Sequence, residues 1–163
     1  MAENDSSLDT FPKVLARNVS KFGNSPAYRE KEYGIWQTWT WSEANQEIMN
    51  LAAGLIKLGV KEGDHVAVIG RNRPYLYWSL VAAQHIGAVP VPLYQDAVAD
   101  EMEYILTHCS ATFAIVGDQE QVDKIHEIQD KIKGLKDIVY VDPKGLRGYD
   151  KSNLHFFDDV SKF

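Results

Sequence analysis

Apolar positions recur along this chain with two spacings, and the switches between them outline its elements. Val14, Leu15, Val19 and Phe22 share one helical face behind Thr10 and Pro12, which predicts a helix from Thr10 to about Phe22, stopped by Gly23. Ala27 to Lys31 and Ile35 to Trp41 then read as an antiparallel hairpin around Glu32-Tyr33-Gly34. In its second strand Ile35, Gln37, Trp39 and Trp41 point one way, and Trp36, Thr38 and Thr40 the other. Aromatic residues on both faces predict that neither side is wholly solvated and that they pack on helices. Thr40-Trp-Ser-Glu43 is a capping-box pattern, because a Thr oxygen and a Glu three residues later can satisfy two orphan N–H groups reciprocally. The helix it opens aligns Ala44, Ile48, Leu51, Ala52 and Leu55, and Gly59 ends it with Val60 placed to touch Leu55, as in a Schellman motif.

Gly63 to Tyr94 is the stretch from which the remainder is built. Val66 to Ile69 is continuously apolar, which suits a strand buried on both faces of a parallel sheet. Gly70-Arg-Asn-Arg-Pro74 is the turn; Pro74 has no N–H to lose and suits a first helical turn, with Asn72 or Arg73 at the cap. Tyr75 to Ile86 is apolar nearly all round, the mark of a helix buried on several sides, and Gly87 supplies a left-handed ending. Ala88 to Tyr94 returns as a second strand, parallel to the first through a right-handed crossover. Pro90 and Pro92 both withhold donors from the same neighbour, which places that strand near a sheet edge or cuts the ladder short.

Beyond it, Asp100 to Cys109 reads as a helix with Met102, Ile105, Leu106 and Cys109 inward, and Thr112 to Val116 as a third strand. Asp118 caps a helix carrying Val122, Ile125, Ile128, Gln129 and Ile132, and Leu135 to Val141 is the fourth strand. The expected fold is α/β: a parallel-type sheet with helices on both faces, plus an N-terminal antiparallel hairpin. Residues 1–8 are expected to be disordered, 9–142 to form the α/β subdomain, and 143–163 to be a polar, Gly-containing extension with Phe156-Phe157 as its apolar cluster.

Composition narrows the function. A net charge of −6 argues against a nucleic-acid-binding face. Cys109 is the single cysteine, which rules out a disulfide framework and fits a reducing cytosol. The N-terminus lacks the basic and apolar regions of a secretory signal. Tyr75 to Tyr94 has the length of a membrane span, yet Gln84, His85, Gly87, Pro90 and Pro92 interrupt it, so no transmembrane segment is expected.

Candidate chemistry is sparse. Arg71, Asn72 and Arg73 follow a parallel strand and open a helix, where such sheets bind anions, and they form the anion-site candidate. The competing reading is that both arginines are surface residues paired with nearby acids, and it is the favoured one. Neither common nucleotide fingerprint, nor Gly-x-Ser-x-Gly, occurs. The five histidines are scattered without metal-ligand spacing, so no metal site is expected. His108 and Cys109 point about 100° apart on a helix, the wrong geometry for a nucleophile and its base.

Gly59-Val-Lys-Glu-Gly-Asp-His-Val-Ala, Asn72-Arg-Pro and Gly87-Ala-Val-Pro-Val-Pro-Leu-Tyr94 resemble the N-terminal part of the adenylate-forming (AMP-binding) enzymes. Arg29-Glu-Lys ahead of Gly34-Ile-Trp, with Thr38-Trp-Thr-Trp-Ser-Glu43, resembles the long-chain fatty acid–CoA ligase branch. The resemblance spans roughly residues 10 to 142. It implies a parent enzyme that uses ATP with Mg2+ to make an acyl-adenylate from a fatty acid, releasing pyrophosphate, and then transfers the acyl group to coenzyme A. The family's Ser/Thr/Gly-rich phosphate loop ending in Pro-Lys-Gly, its Tyr-Gly-x-Thr-Glu segment, ribose-binding Asp and C-terminal lysine are read as having no counterpart here, so the chain is expected to be inactive alone. No catalytic residue is assigned. The alternatives are an adenylating ligase for another carboxylic acid, or a non-enzymatic α/β binding module. A cytoplasmic location is expected, the parent being free or peripheral to the membrane. Trp36, Trp39, Trp41, Phe156 and Phe157 are expected to be left open and covered in a homodimer.

Overall fold

The computed structural model describes residues 7–162, so the expected disorder of residues 1–8 lies largely outside the described residues. Helix α1 (Phe11–Phe22) begins at Thr10, whose hydroxyl accepts from the Lys13 N–H at 3.4 Å. Strands β1 (Pro26–Glu32) and β2 (Ile35–Thr40) pair antiparallel. Their turn is Tyr33-Gly34, with φ of 47° and 82°, the two left-handed residues that match a hairpin's own twist. Trp41 is not in the strand, because Thr40 already caps the next helix.

Helix α2 (Trp41–Leu58) carries the expected cap in full: the Glu43 N–H donates to Thr40 Oγ1 at 3.2 Å, and Glu43 Oε2 accepts from the Thr40 N–H at 2.8 Å. At its other end the Gly59 and Val60 N–H groups donate to the Ile56 and Leu55 carbonyls, a Schellman ending with Gly59 at φ 97°. Ala44, Ile48, Leu51 and Leu55 are fully buried on one stripe. Burying each of the three large side chains contributes about 1.5–3 kcal/mol.

Five parallel strands form the central sheet: β3 (His65–Ile69), β4 (Val89–Leu93), β5 (Phe113–Val116), β6 (Asp137–Tyr140) and β7 (Leu154–Phe156), in the order β4-β3-β5-β6-β7. Period two sorts their side chains. Val66, Val68, Phe113, Ile115 and Val139 join one core with α1, α2 and α3 (Pro74–His85), whereas Ala67, Ile69, Ala114, Val116, Ile138 and Tyr140 join the other with α4 (Ala99–His108) and α5 (Gln119–Glu127). The layers are therefore helix, sheet, helix, and β4 with its two prolines lies at an edge as the sequence predicts.

Four local expectations change. Helix α5 stops at Glu127, so Gln129 and Ile132 follow it instead of riding on it, although Ile128 and Ile132 remain buried. Asp118 precedes α5 without a side-chain capping bond. The sheet also gains a fifth strand: after a 3₁₀ turn at Leu146–Gly148, β7 pairs with β6, and the short helix α6 (Phe157–Val160) docks on α2. Gly54 of α2 permits that docking, because a Cβ there would strike the Val160 carbonyl. Phe157, expected to be open, is buried against Tyr75 at 6.5 Å between ring centroids. A three-residue strand in a polar stretch leaves too short a pattern for periodicity to register.

Candidate functional site

From β3 the chain crosses to β4 on one side and later reaches β5 on the other, so the carboxyl ends of β3 and β5 bound a topological switch point. Gly70 and Gly117 leave those two strand ends. Between them lies the phenol of Tyr75, from the first turn of α3: a Cβ on either glycine would meet its hydroxyl. A crevice of about 110 Å³ remains here, lined by Arg71, Arg73, Tyr75, Gly117, Asp118 and Asp142 among others. Burial pushes the Tyr75 hydroxyl pKa up, and the Asp118 charge adds to that rise. Asp118 Oδ1 is itself buried without a hydrogen-bond partner.

The three sequence-derived candidates converge at this end of the sheet but play different parts. Arg73 Nη1 lies 3.0 Å from Glu30 Oε1 and 3.7 Å from Glu32 Oε1, an ion pair across to the hairpin without hydrogen-bond geometry to Glu30. Asn72 Oδ1 accepts from the Tyr77 hydroxyl. Arg71 is exposed and, among the described residues, makes no ion pair; it lines both the small crevice and a hollow of about 480 Å³ shared with Gly70, Tyr94 and Gln95. The helix end supplies few free donors: Pro74 has none, and the Leu76 N–H returns to the Arg73 carbonyl at 3.0 Å. Tyr75, Gly117 and Asp142 were not singled out from sequence and Asp118 was read there only as a helix cap, although two apolar strands each ending in glycine were a legible sign.

Further along the edge, a groove of about 760 Å³ runs over Pro92, Leu93, Tyr94, Tyr104 and Ile105, with Asp96, Asp100 and Glu101 on its rim. Those carboxylates oppose phosphate there. Pro143-Lys144-Gly145 follows β6 without any Ser/Thr/Gly-rich run before it, and Lys144 Nζ bonds the Tyr33 hydroxyl at 2.9 Å. His85 is half-buried, and burial lowers its pKa. His108 stacks on Tyr104, and Cys109 Sγ lies 3.7 Å from the Leu106 carbonyl. His155 Nε2 meets Asp137 Oδ1 at 2.7 Å across β6 and β7, a pairing that the sequence did not disclose. Among the described residues no group of three His, Cys, Asp or Glu could hold a metal ion, and no helix is long and apolar enough to cross a membrane.

A model of the AMP-binding enzyme family matches residues 15–159. The human long-chain-fatty-acid–CoA ligase ACSBG2 is 27% identical over 151 residues, covering 92% of this chain and 22% of that protein. An uncharacterized protein of Mycobacterium tuberculosis is 34% identical over 89 residues, covering 55% of this chain and 50% of that one. The crystal structure of the anthranilate CoA ligase AuaEII with anthranoyl-AMP superposes with a TM-score of 0.79 at 24% identity, over 92% of this chain and 27% of that one. At that identity the superposition shows the fold. The chain spans about a fifth of the length of the long-chain ligases it matches.

Proposed function

Because the chain belongs to the AMP-binding enzyme family, we propose that it is the N-terminal part of a long-chain fatty acid–CoA ligase and that alone it makes no acyl-adenylate. The observation that carries the acid class is the likeness to long-chain ligases along 92% of the chain. The fold alone would not choose, since one fold hosts many substrates.

The residues present do not fit the nucleotide. The switch-point crevice, about 110 Å³, is well below the roughly 300–1,000 Å³ of sites that enclose small molecules. Asp118 and Asp142 line it beside Arg71 and Arg73, so its charge is balanced and not the cationic lining that a polyphosphate needs. Among the described residues no group of three His, Cys, Asp or Glu is placed to hold a metal ion. ATP, Mg2+ and coenzyme A therefore belong, in this reading, to sites completed by other segments of the parent, and no chemical step is assigned to residues of this chain. Arg71 is the anion-binding candidate that this part contributes. The lone Cys109 supports a cytoplasmic location.

The test is acid-dependent ATP–pyrophosphate exchange. The 163-residue chain is expected to give none, and the full-length gene product to exchange with long-chain fatty acids. Exchange by the 163-residue chain, or a preference of the longer protein for aryl or amino acids, overturns the proposal. The Mycobacterium relative favours a second reading, a stand-alone α/β module: 89 matched residues are 50% of it, which makes it about 180 residues long. A stop codon directly after Phe163, with no ligase coding sequence in frame, would favour that reading.

A further inference from the structure

The hairpin β1–β2 has two unlike faces. On the inner one, Tyr28 and Trp39 meet Trp78 edge-on, and Glu30 and Glu32 turn toward Arg73. Register sets Arg29 opposite Thr38 and Lys31 opposite Trp36, so these four side chains share the outer face. All four are exposed; Trp36 is 64% open, and Tyr33 at the turn is 82% open. Among the described residues neither Arg29 nor Lys31 has an ion-pair partner, and no carboxylate of the two strands shares their face. At the tip Lys144 Nζ lies 5.6 Å from the Tyr33 ring centroid, its charge already paired with Asp142 at 3.9 Å.

In a chain of net charge −6, a face made of two cations, an indole and a hydroxyl needs a specific partner chemistry. Amphipathic Trp and Tyr rings settle at the boundary between headgroups and acyl chains, and Lys and Arg are drawn to anionic headgroups. A second copy of the chain suits the face less well. A two-fold contact would set the face that carries Arg29 and Lys31 against the same cationic face of the copy, and like charges so placed repel.

We propose that the outer face of β1–β2 docks on an anionic lipid surface, with Trp36 and Tyr33 in the interfacial layer and Arg29 and Lys31 on the headgroups. The proposal does not depend on the ligase reading. The test is sedimentation of the protein with phosphatidylcholine vesicles, with and without phosphatidylserine, at low and raised salt. Binding is expected only with phosphatidylserine and falls as salt screens the charges. The double substitution R29E/K31E is expected to lower the bound fraction about tenfold or more. Thr38→Glu, which adds a carboxylate to the same face, lowers it in the same direction. Tryptophan emission should shift to the blue on binding, and Trp36→Phe should remove most of that shift. Unchanged thermal melts of these surface variants show that the fold is intact. Three results overturn the proposal: no binding to phosphatidylserine vesicles, equal binding to neutral vesicles, or undiminished binding by R29E/K31E. A dimer that Trp36→Ala dissolves, without vesicle binding, would assign the face to self-association instead.

Discussion

Glu47 sits on α2 with its carboxyl half-buried; burial raises its pKa, and the Asp158 carboxylate adds to the rise. A raised pKa in the folded state means that the fold prefers the protonated acid. The stability this group contributes is full below its unfolded value, about 4.3, and is lost as pH rises through the folded value. Glu47→Gln removes that dependence. The variant is expected to melt higher than the parent at pH 7, with the difference vanishing as pH falls to about 4. Melting curves at several pH values check it, and equal melting temperatures at pH 7 would contradict it. His85 behaves in the opposite sense: burial lowers its pKa, so its contribution holds above about pH 6.5 and is lost on acidification through the lowered value.

At the scale of elements, α2 is the longest helix of the described residues and the one against which α1, α3, α6 and the hairpin pack. Its start is defined by one reciprocal pair, Thr40 and Glu43. Thr40→Ala leaves the Glu43 N–H without its acceptor and is expected to cost about 1 kcal/mol. For a chain of this size that is a fall of roughly 2–4 °C in melting temperature. Thr40→Ser keeps an oxygen in place and should recover most of the loss, which separates capping from the methyl group's packing. Because Trp41 and Thr40 belong to the junction between β2 and α2, loosening this cap should also increase hydrogen exchange at the base of the hairpin.

For the whole molecule, the C-terminal segment is a structural part of the sheet. Leu146, Leu154, Phe157 and Val160 are each 5% exposed or less, and they cover Tyr140, Val139 and the face of α2 around Gly54. At about 1.5–3 kcal/mol per buried side chain they contribute on the order of 6–12 kcal/mol. That is comparable with the roughly 5–15 kcal/mol that holds an ordinary domain folded. A chain cut after Asp142 is therefore expected to lose its cooperative melt and to aggregate. A two-state transition within a few degrees of the parent's would contradict this.

Local chemistry was legible in the sequence wherever a few neighbouring residues determine the outcome. The helix starts at Thr10 and Thr40 and the left-handed endings at Gly59 and Gly87 depend on backbone donors within one turn. So does the edge position of β4, since Pro90 and Pro92 have no N–H to offer a partner strand. The alternation of strands and helices was enough for an α/β sheet covered on both faces. What only the tertiary structure decided were meetings between residues far apart in the chain. Tyr75 fills the space between Gly70 and Gly117, Arg73 is held by Glu30 of the hairpin, and His155 reaches Asp137. The same holds for β7: three residues carry no periodic signal, and what makes them a strand is the open edge of β6 already waiting beside them. Residue pattern reports which face of an element is apolar, and only the packed sheet reports which charge lies across from it.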